Sequence, residues 1–330
     1  MAKKNPKRIA IITVIICAIA MMLTLILHHN PLADVHEENL KKIVACAIIV
    51  AAVLIFIRLY DRIVTLPVEL WQNRKLIWKL AKNDFKTRFA GSYLGKVWAF
   101  LQPVVTITLY WFVFEYVMKA KAAIMSNGID APYVLWLTAG LVPWFYFTEA
   151  LNNGMTALLE YNYLVKKVVF KISILPIIKI IGATFIHVFF LCFMLVLYFC
   201  YGYPLDPTII QLVYYSACMF ILVLAISYST CAIIVFFRDL AQIVAIGLQI
   251  GMWATPIMWD ISILPANLQF FFKLNPVFYI VNGYRDAMFD HSWFWEDFYS
   301  TMYFWIVVVV LFGVGALIFR RLKVHFADVM

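Results

Sequence analysis

Apolar runs about as long as a bilayer is thick recur along the whole chain, and they dictate what it can fold into. A helix needs about 20 mostly apolar residues to cross the hydrocarbon core. Ile9–Leu27 supplies 19 uncharged residues, Ile180–Tyr203 supplies 24, Pro207–Phe237 supplies 31 and Leu240–Trp259 supplies 20. Val97–Met118, Pro132–Ala157 and Thr301–Phe319 are further runs of this kind. Ile43–Ile57 has only 15 residues, but Lys42 and Arg58 flank it and can snorkel to the two interfaces. Backbone amides in lipid must find partners within the protein, and a helix provides them all. Eight spans of an all-α membrane protein are expected. Composition agrees, since 65% of the 330 residues are hydrophobic and 14% are charged, against about 25% charged in a soluble domain. A cytosolic enzyme and a disordered chain are both excluded.

The first run follows Lys3, Lys4, Lys7 and Arg8, as a signal peptide would. His28-His29-Asn30-Pro31 stands where a small-residue cleavage site belongs, so the first two runs read as a transmembrane hairpin. The expected division is a hairpin over 1–66 and a larger unit over 67–330.

Placing the N-terminus in the cytoplasm and alternating sides puts 21 of the 27 Lys and Arg residues inside. The six outside are Lys41, Lys42, Lys119, Lys121, Lys273 and Arg285. Such a bias sets topology, so both termini are expected in the cytoplasm of a multi-pass plasma-membrane protein. It also accounts for the net charge of +9 without nucleic acid; the cations face anionic lipid or a partner.

Pro67–Phe89 is neither a span nor a loop. Leu70, Trp71, Ile77, Trp78, Ala81 and Phe85 recur at helical spacing, and Lys75, Lys79, Lys82 and Lys86 line another face. Arg74 interrupts the apolar stripe. The pattern suits a helix lying in the headgroup plane; the competing reading is an ordinary solvated helix. Ile261–Phe289 is apolar but broken by Pro265, Lys273, Pro276 and Arg285, which fits two short helices dipping into the membrane.

Signatures of chemistry are missing. Gly91–Lys96 resembles a phosphate loop only faintly: three residues separate its glycines and no Ser or Thr follows the lysine. No catalytic residue, metal site or cofactor of this chain's own is expected. The six cysteines all lie in apolar stretches and read as small buried hydrophobes. His28, His29 and His36 read as solvated loop residues, and His187 as the partner of a neighbouring helix. No internal repeat marks a secondary transporter, and few ionisable groups enter the spans. Glu115 lies near the outer end of its span. For Glu149 two readings stand, a functional group or a helix–helix hydrogen bond.

Glu160–Lys171 joins two spans on the cytoplasmic side and sets Leu164 and Val168 among Lys166, Lys167 and Lys171. A partner's groove grips such a short helix; a basic loop anchored by Phe170 is the plainer reading. Gly247 and Gly251, four apart, permit close helix approach but single out no dimer face. Trp98, Phe100, Tyr110, Trp111, Phe112, Phe114 and Tyr116 crowd one span. Tyr110 and Phe114 share a face there, as do Trp111 and Phe114. Aromatic faces of this kind suit a path for sugar rings, and equally suit lipid contact and packing.

Several stretches read together: Phe85–Gly95 (FKTRFAGSYLG), Trp98–Pro103 (WAFLQP), Pro143–Glu149 (PWFYFTE) and Tyr163–Phe170 (YLVKKVVF). With them go Ile174–Pro176 (ILP), Arg238–Leu240 (RDL), Thr255–Ile257 (TPI), Asn275–Pro276 (NP) and Tyr284–Asp286 (YRD). In this order they resemble the ABC-2 type permeases that export teichoic acid, O-antigen and capsule polysaccharides. The likeness covers about residues 68–325; the N-terminal hairpin lies outside it.

The resemblance implies a six-span, type V exporter-like core with the hairpin added. It implies a homodimer seated on two copies of an ABC ATP-binding subunit, which alone binds ATP and Mg. Residues 67–89 become an interfacial gate helix with Trp71, Lys75, Trp78, Lys82 and Arg88. Residues 160–171 become a coupling helix offering Tyr161, Asn162, Leu164, Lys166, Lys167, Val168 and Phe170 to the ATPase. Residues 260–290 become outer re-entrant helices with Pro256, Asn275, Pro276, Tyr284 and Arg285 as their structural residues, Arg285 bonded within the pair. The cargo it implies is an undecaprenyl-diphosphate-linked glycan, passing Trp98, Phe100, Tyr110, Trp111, Phe114 and Glu149. Two other functions compete. One is the same machine with a lipid or drug as cargo. The other is a secondary carrier, which would transport in proteoliposomes with no ATPase.

Overall fold

The computed structural model describes residues 6–27, 35–88, 95, 97–119, 132–165, 171–204 and 206–329. All regular structure among them is helical, as the apolar runs required. Met1–Val68 and Glu69–Met330 form two compact units.

The first unit is an antiparallel hairpin of α1 (Pro6–Leu27) and α2 (Val35–Ile63). At one end Lys42 Nζ donates to Ile26 O at 3.4 Å. At the other, Lys7 Nζ lies 5.5 Å from the ring centroid of Tyr60. The Ile43–Ile57 run lies within α2 and is extended at both ends by polar turns. The short helix α3 (Thr65–Gln72) leads out of this unit.

The second unit begins with α4 (Arg74–Thr87), then α5 (Val97–Trp111), which runs on as a π-helical turn over Phe112–Val117. Next come α6 (Tyr133–Glu160), α7 (Asn162–Val165), α8 (Leu175–Cys200) and α9 (Gln211–Ile233). After them follow α10 (Leu240–Ala254), α11 (Ala266–Lys273), α12 (Pro276–Arg285), α13 (Phe298–Leu322) and α14 (Phe326–Val329).

The core is α6 between α8 and α9, with α13 on the far side of α9. Buried residues surround α6 on nearly every side, as befits a helix apolar all round. Tyr146 of α6 meets Thr184 of α8, O to O, at 2.8 Å. Between α9 and α13 the approach is backbone-close: a Cβ on Gly315 would sit 2.7 Å from Ala225 O. Small residues permit such contacts where lipid supplies no hydrophobic drive between helices. His187 bonds neighbouring helices as expected, with Nε2 3.0 Å from Ser216 Oγ and 3.1 Å from Tyr284 OH.

Five helices among the described residues are long and apolar enough to cross a membrane: Val97–Val117, Tyr133–Glu160, Ile172–Cys200, Pro207–Ile233 and Phe298–His325. The expected 20-residue run Leu240–Trp259 is helical only to Ala254. Thr255 turns extended (φ −96°, ψ 122°), the conformation that the following Pro256 favours. The region after it forms two short helices, α11 and α12. Asn275 caps α12 by accepting from Val277 N at 3.0 Å, with Pro276 in the first turn.

The 67–89 stretch departs from the single helix expected. Asn73 breaks it (φ −98°, ψ 11°), and its Nδ2 donates to Glu69 O at 2.6 Å. The apolar stripe divides in two. Ile77 and Ala81 face inward, whereas Trp71 is 72% exposed and Trp78 56%. Trp78 and Phe85 both reach the Phe185 ring, at 5.5 and 5.4 Å between centroids. The cysteines are corrected too. Cys218 and Cys231 are buried, but Cys17, Cys192 and Cys200 are exposed. A membrane protein's outer surface is as apolar as its interior, so an apolar neighbourhood does not mean burial.

Candidate functional site

One end of the bundle carries Lys171, Lys179, Arg238, Arg320, Arg321 and Lys323. Tyr228 near the end of α9 donates to Ser173 O at 2.9 Å and packs on Phe319 of α13, which joins three helices at this basic end.

Two charges here sit badly on their own helices. Glu160 closes α6, where the dipole is negative, and Lys179 lies in the first turns of α8, where it is positive. They offset one another in an ion pair of 2.7 Å. Lys179 Nζ lies equally close, 2.7 Å, to Asp84 Oδ1 on the inward side of α4. The Tyr161 hydroxyl donates to the same Asp84 oxygen, and Lys179 Nζ stands 5.0 Å from the Tyr161 ring centroid. Side chains of Asp84 and Lys179 are each 11% exposed, that of Glu160 49%. Burial, then the bond to Asp84 and its charge, hold the Tyr161 phenol well above the usual tyrosine range. One turn beyond Asp84, the Arg88 N–H donates to Asp84 O at 2.9 Å. Arg88 Nη1 then meets Glu149 Oε1 at 2.6 Å, with 36% and 24% of the two side chains exposed. Glu69 accepts from Ser173 Oγ at the same end.

Of the segment 160–171, the structure places Tyr161 in this cluster, Asn162 and Leu164 in α7 and half-buried, and Tyr163 outward. Lys166, Lys167, Val168 and Phe170 lie outside the described residues. Lys75 and Lys82 on α4 and Arg88 just past its end, all exposed, frame the inward Asp84.

The aromatic span is largely unburied, with Ile107 its one buried residue among those described. Phe100 packs on Phe189 (4.1 Å between centroids) and Tyr110 on Phe114 (6.4 Å). Trp111 pairs with Tyr116 (5.4 Å) rather than with Phe114, which leans towards Tyr133 (5.8 Å). Trp98 is exposed. Gly247 faces open space, and a Cβ on Gly251 would meet Trp144 at 3.0 Å.

At the opposite end Arg285 is buried. Nη1 donates to Pro256 O and Nη2 to Ile257 O, both at 2.7 Å. Its guanidinium carbon lies 3.4 Å from the Trp136 ring centroid. Asn275 Nδ2 reaches Thr255 Oγ1 at 2.8 Å, and Tyr284 OH meets Ser216 Oγ at 2.7 Å. Arg285 and Asn275 thus tie α12 to the Thr255–Ile257 turn, while Tyr284 bonds separately to α9 and α8.

Two residues of the basic end were not singled out as site residues in the sequence, Asp84 and Lys179, the latter entering only the count of inward cations. The signal was present: Asp84 falls one heptad after Ile77, on the buried stripe, and Lys179 stands four residues into an apolar helix. A carboxylate on a buried face asks for a cation.

Residues 75–289 match the family model described as ABC-2 type transporter. The chain belongs to this ABC-2 family. Among curated proteins it is similar to the O-antigen export system permease protein RfbA of Myxococcus xanthus, with 30% identity over 79% of this chain and 97% of the relative. It is also similar to the protein of that name from Klebsiella pneumoniae, with 27% identity over 76% of this chain and 93% of the relative. The polysialic acid transport protein KpsM of Escherichia coli is 23% identical over 62% of this chain and 78% of the relative. This ABC-2 chain is a multi-span membrane transporter subunit, and the charged cluster of Asp84, Glu160, Tyr161 and Lys179 lies inside the matched region.

Proposed function

We propose that this chain is the membrane-spanning subunit of an ATP-driven exporter of a cell-surface polysaccharide. Its cargo is an O-antigen-like or teichoic acid-like glycan carried on undecaprenyl diphosphate. It works in the cytoplasmic membrane as a homodimer, with both termini and the basic end in the cytoplasm. Two copies of an ABC ATP-binding subunit dock on residues 160–171 and supply the ATP and Mg chemistry. This chain binds neither. α4 serves as the gate helix, and the turns around α11 and α12 as the outer re-entrant pair.

The observation that carries this reading is the similarity to O-antigen export permeases over 97% and 93% of their length. Geometry supports it as well. The 161–165 turn stands at the basic end, where a positive-inside chain meets cytoplasmic partners. Exposed aromatics on α5 offer faces to sugar rings.

The test is export in cells deleted for the chain and complemented with it. The expected outcome is loss of one surface polysaccharide, lipid-linked glycan trapped inside, and recovery on complementation. A normal surface glycan with a changed lipid profile or drug tolerance would move the cargo to a lipid or drug.

A further inference from the structure

A buried ion pair is a poor source of stability, because desolvation consumes most of its attraction; its best-attested use is to fix a register or a switch. The Asp84–Lys179 pair is of this kind, with each side chain 11% exposed. Three elements meet at one carboxylate oxygen. Asp84 Oδ1 belongs to α4, Lys179 Nζ to α8, and the Tyr161 hydroxyl to the turn that opens the segment after α6. Lys179 also holds Glu160, the last residue of α6, at 2.7 Å.

Asp84 continues inward as well. Its carbonyl accepts from the Arg88 N–H at 2.9 Å, so four residues of helix rigidly join the two side chains. Arg88 grips Glu149 at 2.6 Å. Glu149 lies eleven residues before Glu160 on α6, which is about 16 Å along a helix. The end of α4 is thus pinned at two levels along α6, by Tyr161 and Lys179 near its last turn and by Glu149 further along.

We propose that Asp84 is a positioning residue that transmits displacement of the 160–165 turn, through Lys179 and the end of α4, to the partly exposed Arg88–Glu149 pair further along α6. The inference rests on the reading that residues 160–171 receive the ATPase. A push on that turn moves Tyr161 and Glu160. Asp84 follows through its bonds to Tyr161 and Lys179, and Arg88 follows Asp84 because the helix between them does not stretch. Breaking the link at Asp84 leaves docking and ATP hydrolysis in place but separates them from the membrane path.

The test uses the complete complex with its ATP-binding subunit in proteoliposomes, with ATP hydrolysis and glycan export measured in the same sample. Asp84→Asn is expected to assemble and hydrolyse ATP within about twofold of the parent while export per ATP falls about tenfold, the scale of a typical coupling free energy. Asp84→Glu, which keeps the charge, is expected to recover most of that loss. Unchanged export per ATP in Asp84→Asn would overturn the proposal. So would equal loss of assembly, hydrolysis and export that Asp84→Glu does not rescue, since that marks a structural role only. Leu164→Asp separates the two readings. If it uncouples while Asp84→Asn does not, the docking site stands and the link fails. If it leaves coupling intact, the docking reading fails.

Discussion

The guanidinium carbon of Arg285 sits over Trp136, 3.4 Å from the ring centroid, while both terminal nitrogens donate to the carbonyls of the turn after α10. Arginine suits this place because one planar group stacks and forks at once. The contact ties α12 to α6 and to the Pro256–Ile257 turn, so it orders this end of the bundle as a unit.

Arg285→Gln is expected to lower folded yield and melting temperature. It removes two charge-assisted bonds and the stacking cation, a loss of about 3 kcal/mol for groups of this type. Arg285→Lys should not restore stability, because an ammonium cannot reach both carbonyls from above the ring. Thermal unfolding in detergent reads both variants. Normal yield with lost export would make Arg285 a cargo contact instead.

Gly140→Ala probes the same lock from below. The added Cβ would stand 2.9 Å from Arg285 Nη2 and 3.2 Å from Ile257 Cγ2. Overpacking of this kind costs about 1–3 kcal/mol. In a double-mutant cycle the Gly140→Ala penalty is expected to shrink once Arg285 is Gln, as contacting sites are not additive. Equal penalties in both backgrounds would show that the Cβ meets no resistance from Arg285.

Arg88 and Glu149 are partly exposed, so their pair contributes about 1 kcal/mol or less to stability. Arg88→Glu is expected to fold normally and to reduce export by setting two carboxylates together. Adding Glu149→Arg in the same chain should restore export by reversing the pair. Export by the double variant no better than by the single one would show that orientation, not pairing, matters.

Much of this was legible in the sequence. Long apolar runs gave the five helices of membrane-crossing length among the described residues, fewer than the eight spans expected, and Arg285, expected to bond within residues 260–290, reaches back to the carbonyls of Pro256 and Ile257. The Arg88–Glu149 pair was not legible, because its members lie 61 residues apart and each has a plain alternative. The apolar stripe of residues 70–85 did not separate the side chains that bury from those that stay exposed. In a membrane protein, tryptophan is at home at the headgroup level; Ile77 and Ala81 are buried and Asp84 pairs with Lys179 of α8, while the exposed Trp78 still touches α8 through Phe185. Apolarity locates a helix in the membrane but does not say which side of it meets lipid.

Docking of the ATP-binding subunit on residues 160–171 predicts that Leu164→Asp with Lys167→Asp uncouples hydrolysis from export. An acid among these lysines reverses the local charge and removes the apolar residue a groove would hold. ATPase activity without export, read in the reconstituted complex, is the expected signature. Full coupling in this variant would move the docking site elsewhere.

The most direct measurement reconstitutes the purified chain in proteoliposomes loaded with lipid-linked glycan, with and without its ATP-binding subunit, and follows ATP-dependent appearance of glycan on the far side. Movement is predicted only when both proteins and ATP are present. Concentrative movement by the chain alone would contradict the account.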